Sequence, residues 1–406
     1  MENVKWLIQK RGVFVIGLLA VVIACGIVLR EPKQDQTGED NTEEIREQKA
    51  ESSDSQAQVI PEKKDCLFTE EEKKQLQETA LTAAEQAKGV YQNIEVADGP
   101  AFSSNIAEFT EEQCKEVVSL LGQAGFMSIT EDCNMANPEK IHVFYSDYLN
   151  QRESMFTIFQ VNPDGLIGAV TFLYRKDELQ TYYVGIGWQQ GGIPEIRSTL
   201  EDGIAEIKLT EKGYFIYSYE ILIPHSSLRQ CFRTSPLSDK CRELTKKYIS
   251  GLSYVNYNML VTNWDSSNVE DILMPCMFED IYRIYTGEIF RTENRTVPAE
   301  MYEQVMTACF PVSVEQVRKV CGYDAGSASY PYEMIYARPY PPYGEVVDYT
   351  ENGDGTITLF VDGVWPDYNS DYAFTNSIVV QPFEDGTFRY LSNRIEQKEM
   401  EIPVIE

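Results

Sequence analysis

Two apolar runs and the turn between them decide how this chain reads: Ser154-Met-Phe-Thr-Ile-Phe-Gln-Val-Asn-Pro-Asp-Gly-Leu-Ile-Gly-Ala-Val-Thr-Phe-Leu-Tyr-Arg175. Ser154 to Val161 and Leu166 to Arg175 are rich in β-branched and aromatic residues, the composition of strands. Between them, Asn162-Pro163-Asp164-Gly165 is a turn, since proline presets φ and glycine accepts φ > 0. Strands joined by so short a link must run antiparallel. Outward from this hairpin the same composition predicts strands over Ile141 to Tyr145, Leu179 to Trp188, Ile204 to Thr210 and Tyr214 to Ile223.

Helices precede this sheet. Thr69-Glu70-Glu71-Glu72 and Thr110-Glu111-Glu112-Gln113 are capping boxes, in which the threonine hydroxyl takes the N3 amide and the acid or amide side chain reaches back. The first predicts a helix to about Lys88, stopped by Gly89; the second is stapled by Phe109 on Cys114 and stops at Gly122 or Gly125. A second block repeats the order. Helices are expected over Leu237 to Ser250, from Asn268 past or bent at Pro275 to about Phe290, from Pro298, and after the capping box Ser313-Val314-Glu315-Gln316. Strands follow at Glu345 to Tyr349, Thr356 to Val364, Ser377 to Pro382 and Thr387 to Leu391. Their turns are Asn352-Gly353-Asp354-Gly355 and Glu384-Asp385-Gly386.

The closing pattern, Asp354-Gly355-Thr356-Ile357-Thr358-Leu359 and then Glu384-Asp385-Gly386-Thr387-Phe388-Arg389-Tyr390-Leu391-Ser392-Asn393, stands behind Phe310-Pro311 and Ser313 to Gln316. It resembles a family of uncharacterised membrane-anchored extracytoplasmic proteins of Gram-positive anaerobic bacteria, a domain of unknown function. The resemblance implies a compartment and carries no activity or catalytic residue with it.

At the other end, Val13 to Leu29 is seventeen residues without a charge. At about 1.5 Å per residue it covers roughly 25 Å, enough for a short membrane span. Lys5, Lys10 and Arg11 precede it, and positive charge stays in the cytosol, so the bulk should lie outside. A second reading of the same residues is a lipoprotein signal, Val22-Ile23-Ala24-Cys25, that would leave Cys25 lipidated. Ile27-Val28-Leu29 prolong the apolar run past the cysteine and favour an uncleaved anchor. Glu31 to Asp65 is too polar to bury a core and reads as a tether.

The expected fold class is therefore α+β: an N-terminal transmembrane helix, a disordered linker, then two lobes, each with helices packed on a mainly antiparallel sheet. The boundaries are residues 1–12 for the cytoplasmic start, 13–29 for the anchor or lipoprotein signal, 30–66 for the acidic linker, 67–228 and 229–396 for the two lobes, and 397–406 for a tail.

With 406 residues, 43% of them hydrophobic, the chain has material for sizeable cores. Its net charge of -29 opposes nucleic-acid binding, which needs a basic footprint. Only two histidines are present, His142 in an expected strand and His225, and there is neither H-E-x-x-H nor G-x-S-x-G. Gly326-Ser327-Ala328-Ser329 lacks the final glycine. The cysteines outside the anchor, Cys66, Cys114, Cys133, Cys231, Cys241, Cys276, Cys309 and Cys321, show no C-x-x-C spacing, which argues against zinc ribbons and iron–sulfur clusters. Disulfides and buried thiols both remain open for them. Asn352-Gly353-Asp354-Gly355 fails as a calcium loop because Thr350 and Val361 would fall at its carboxylate positions. Gly185 to Gly192 is no phosphate loop, since no lysine follows.

No metal, cofactor or catalytic residue is therefore assigned. What remains is a tyrosine- and proline-rich segment in which Tyr332, Tyr336, Tyr340 and Tyr343 alternate with Pro339, Pro341 and Pro342. Proline holds an extended backbone while tyrosines offer flat amphipathic faces, a combination suited to a cell-wall glycan or a protein partner. Trp188 and Trp365 are candidates to join that surface; packing against the sheet edge is the alternative use of these rings. The expected function is a membrane-tethered extracytoplasmic binding or interaction protein. The alternative is a cell-surface hydrolase working through paired carboxylates, as glycosidases do. Protease added to intact cells should digest the bulk of the chain, and full protection would contradict the outward orientation.

Overall fold

The computed structural model describes residues 66–97, 105–106, 108–220, 229–252, 254, 259–333, 342–368 and 370–397. The segment 13–29 expected as an anchor, with Cys25, residues 30–65 of the expected linker, His225, Tyr336, Tyr340 and residues 398–406 lie outside the described residues. No helix among the described residues is long and apolar enough to cross a membrane.

The fold is mixed α+β. Helices α1 (Glu70–Gln86), α2 (Lys88–Tyr91), α3 (Glu111–Gln123) and α4 (Glu139–Leu149) accompany a seven-stranded sheet ordered β1 to β7: Ser128–Ile129, Ser154–Val161, Ile167–Arg175, Glu178–Gln189, Ile193–Leu209, Tyr214–Tyr219 and Gln230–Arg233. Only β1 pairs parallel with its neighbour; the rest of this sheet is antiparallel. Next come α5 (Asp239–Tyr248), α6 (Phe278–Thr286), α7 (Ala299–Cys309) and α8 (Val314–Val320). Strands β8 (Thr296–Pro298) and β9 (Ser329–Pro331) form a small ladder among them. The chain closes with an antiparallel four-stranded meander, β10 (Tyr343–Glu351), β11 (Ile357–Trp365), β12 (Ser370–Pro382) and β13 (Phe388–Gln397).

The turn at Asn162–Gly165 forms as expected. Gly165 has φ +79°, and its N–H donates to the Asn162 carbonyl at 2.9 Å. Its own carbonyl accepts from the Tyr91 hydroxyl at 3.1 Å and from Trp188 Nε1 at 3.3 Å, while those two rings stack 3.6 Å apart. Trp188 is thus a core side chain and not part of an exposed surface. All three capping boxes also form.

Period-two alternation distributes the large sheet over two cores. Ile167, Ala169 and Leu173 of β3 face α1 and α3, whose buried Ala80, Ala83, Ala84, Val117 and Leu121 lie against them. Val170, Phe172 and Tyr174 face the other way, to Ile141 and Phe144 of α4 and on to Ile204, Phe215 and Tyr217. That second core requires curvature. In a flat sheet β2 and β6 would stand about 19 Å apart, four spacings of some 4.8 Å. The rings of Phe156 on β2 and Phe215 on β6 are 5.7 Å apart, and Phe172 lies 5.4 Å from Phe215. The sheet therefore curls over its own face. The bend is carried by β5, which pairs with β4 along its first part and with β6 along its last, through register shifts at Gly185/Ile186 and Ile204/Glu206.

Several expectations are corrected. Ile141 to Tyr145 is not a strand but lies in α4, because Ile141 and Phe144 sit three residues apart on one helical face; His142 is exposed on the other side. The apolar run was too short to separate the two periods. The helix expected from Asn268 to Phe290 is two 3-10 turns, Val269–Ile272 and Pro275–Met277, followed by α6. Met274 is extended, as a residue before proline tends to be, and Gly287 at φ +77° ends α6. Gly89 does not stop the first helix, which ends at Gln86, and falls inside α2. The separate strand expected from Ile204 is the end of the long β5. Of the two uses left open for the cysteines, the eight described ones are free thiols, with Cys114, Cys241, Cys276, Cys309 and Cys321 buried.

Phe172 is fully buried at the centre of the curl and touches rings on β2 and β6. Phe172→Ala should lower the stability of the folded chain by about 3–5 kcal/mol, read as a shifted urea midpoint. A change under about 1 kcal/mol would mean that the curled core is not packed as described.

Candidate functional site

Strand β6 reads Tyr214-Phe-Ile-Tyr-Ser-Tyr219 and its first five residues are buried, so both of its faces are occupied. Phe215 and Tyr217 fill the curled core, while Tyr214 and Ile216 point outward and meet Val364 of the small sheet. On β7 the same alternation buries Phe232 inward and turns Cys231 and Arg233 out. The outward groups face a row of carboxylates on the small sheet. Glu345 of β10 and Asp362 of β11 are directly opposed in register, and cross-strand partners share a face.

A tight turn delivers the cation that answers this row. Gly213 has φ +87°, and its N–H donates to the Thr210 carbonyl at 3.1 Å, leaving Lys212 at the apex. A side chain at Gly213 would collide with Ser235, its Cβ falling 1.9 Å from the hydroxyl oxygen. The Lys212 backbone N–H donates to Asp371 at 3.1 Å, its ammonium pairs with Asp362, and it lies 4.3 Å above the Tyr372 ring. Asp362 and Asp371 are both buried.

Beside it, the Arg233 guanidinium donates to the Tyr214 hydroxyl at 2.7 Å and to Glu345, and Tyr214 donates to Glu345 as well. Further along, the Arg229 backbone N–H donates to the Asp367 carboxylate at 3.2 Å, and its guanidinium reaches the Asp367 carbonyl and, at 3.0 Å, Glu206. Three cations from the large sheet thus meet four carboxylates from the small one. Among the described residues, the buried apolar cluster of this seam is Tyr214, Ile216 and Val364 with Cys231 at their edge.

Burial pushes the Glu345 carboxyl above the ordinary range; Arg233 and Tyr214 pull it down and Asp362 adds to the rise, with burial prevailing. The sign follows from linkage. A carboxyl whose pKa is raised by the folded arrangement contributes stability that is complete below the ordinary carboxylate range. That contribution is lost as pH rises through the shifted value. Glu345 therefore favours the folded arrangement more on the acid side of its titration than at neutral pH.

The residues singled out from sequence are dispersed. Tyr332 is half-buried, its ring 5.3 Å from Phe290 beside the stacked pair Tyr302 and Tyr330. Tyr343 is 43% exposed at the start of β10, with its hydroxyl 3.6 Å from the Cys231 sulfur. Trp365 stacks on Phe374, 6.2 Å away, and is half-buried against the small-sheet core. The charged seam had no local signal in the sequence, because its members are drawn from positions 212 to 371. Its one visible trace is that β6 has no polar face. Among the described residues, no group of three or more His, Cys, Asp or Glu side chains is placed to hold a metal ion.

A family of unknown function, DUF6070, matches residues 73–405, which takes in both sheets and the seam. The chain belongs to that family. No curated protein and no solved structure matches it.

Replacing Lys212 leaves Asp362 buried without its ammonium partner. Lys212→Met should lower stability by about 1–3 kcal/mol by denaturant unfolding, the cost of stranding a buried charge moderated by the partial exposure of the lysine. An unchanged midpoint would show that the pair carries no weight.

Proposed function

We propose that this member of the DUF6070 family is a membrane-tethered, two-lobed extracytoplasmic module that binds a cell-surface ligand, a wall glycan or a protein partner. The tether and its orientation are read from the charge-free segment at 13–29, its basic flank and the acidic linker. The observation that carries the binding reading is the placement of Tyr343. Tyr330 is buried and Tyr332 is packed on Phe290, yet Tyr343, which follows Pro341-Pro342 directly, keeps 43% of its surface in solvent. An exposed tyrosine directly behind Pro342, whose ring fixes its own φ, offers an amphipathic face at low entropic cost.

A second reading, a hydrolase using two carboxylates, draws on the opposed Glu345 and Asp362, one of them desolvated. In the closed arrangement both are engaged by cations of the large sheet, Glu345 by Arg233 and Asp362 by Lys212. A binder is therefore the better account.

The two readings separate in one experiment on the full chain, sedimentation with purified cell-wall material. Tyr340→Ala and Tyr343→Ala, made singly, should each weaken retention about tenfold, while Asp362→Asn should leave retention unchanged and soluble fragments should not be released by the parent chain. Retention unchanged by both tyrosine variants would remove the recognition surface.

A further inference from the structure

We infer that the seam between the two sheets is a reversible clasp, along which the large sheet with its helices and the small sheet with its helices part and close again while each stays folded. Four observations lead there. Each side has a hydrophobic core of its own, the large sheet two of them, so neither side needs the other for its interior. The seam itself is mainly ionic, with Lys212, Arg229 and Arg233 facing Glu345, Asp362, Asp367 and Asp371 and only a small apolar centre. Interfaces of that composition permit relative motion of the parts they join. Opening also costs less in water than in a dry interior, because every separated charge regains its hydration.

The fourth observation is connectivity. Every strand of the large sheet precedes Thr234 and every strand of the small sheet follows α5, so the chain crosses between them once, at 234–238. A second set of contacts lies at that crossing. Asn134 exchanges hydrogen bonds with both backbone groups of Leu237, at 2.8 and 3.1 Å, and accepts from Arg242 at 2.7 Å. Lys246 on α5 pairs with Glu111 at 2.7 Å and lies 3.6 Å from Asp132. These contacts sit beside the single covalent link and form the pivot; Lys212 and Arg233 hold the end of the seam nearest to it, where the Gly213 carbonyl takes the Thr234 N–H at 2.7 Å, and Arg229 with Asp367, four residues back from Arg233, holds the end that opens. The clasp holds whether or not the binding reading above does, because it concerns only the two sides of this seam.

Thiol labelling tests it. Cys231 stands at the edge of the seam, Val364→Cys places a second thiol at its fully buried centre, and Cys309 is fully buried in the small-sheet core. With a labelled maleimide and mass readout on the folded chain, the Val364→Cys thiol should react at least about tenfold faster than Cys309, although both positions are fully buried with the seam shut. Lys212→Met and Arg233→Met, made singly, should each speed the seam thiols several-fold further, while Cys309, reached only by unfolding, stays at least about tenfold slower than either. If Val364→Cys fails to fold, the rise of the Cys231 rate in the two charge variants gives the reading, since this thiol is half-buried even with the seam shut. A Val364→Cys thiol that reacts at the Cys309 rate, or a Cys231 rate that neither charge variant raises, would show that the seam opens only when the whole molecule unfolds and would overturn the clasp.

Discussion

One strand with two apolar faces holds this molecule together. Side chains alternate along β6, so Phe215 and Tyr217 enter the curled core of the large sheet while Tyr214 and Ile216 reach the small sheet. A slip of one residue would reverse those assignments and place the Tyr214 hydroxyl, which bonds Arg233 and Glu345, inside a hydrophobic interior. The register of β6 is accordingly tied down on both sides, by β5 through Ile207↔Tyr217 and by β7 through Ile216↔Cys231.

The curl sets where that strand stands. Because β5 is bent at its register shifts, β6 swings back over β2 and β3 and the aromatic cluster of Phe156, Phe172 and Phe215 closes the gap. The turn at Gly213 then projects Lys212 away from this core toward Asp362 and Asp371. Local geometry, core packing and the seam are thus consecutive consequences of one bend. The opposite face is held independently, by Tyr91 and Trp188 stacked on each other and anchored to the carbonyl of Gly165.

Elements with strong local chemistry were legible in the sequence. The capping residues Thr69, Thr110 and Ser313 marked helix starts at the correct residue, and the turns at Gly165, Gly355 and Gly386 marked hairpins, all three with positive φ. Where the signal was only a short apolar run, it misled. Ile141 to Tyr145 satisfies a strand by composition and a helix by spacing, and tertiary packing on Phe156 decided for the helix. The seam was illegible for a different reason. Lys212, Glu345 and Asp362 are unremarkable surface-type residues until a curl between positions 193 and 209 brings their strands together, and no pattern within a single strand records that meeting.

The account stands on the outward face of β6 meeting β10, and a double-mutant cycle on that contact tests it most directly. Tyr214→Phe and Glu345→Met each remove one side of the hydrogen bond with little change in size, and unfolding free energies of the parent, both single variants and the double variant give the coupling. Contact across the seam predicts a coupling of about 0.5–3 kcal/mol. Additive effects, with no coupling beyond the error of the measurement, would mean that β6 does not touch the small sheet and that the arrangement described for the two sheets is wrong.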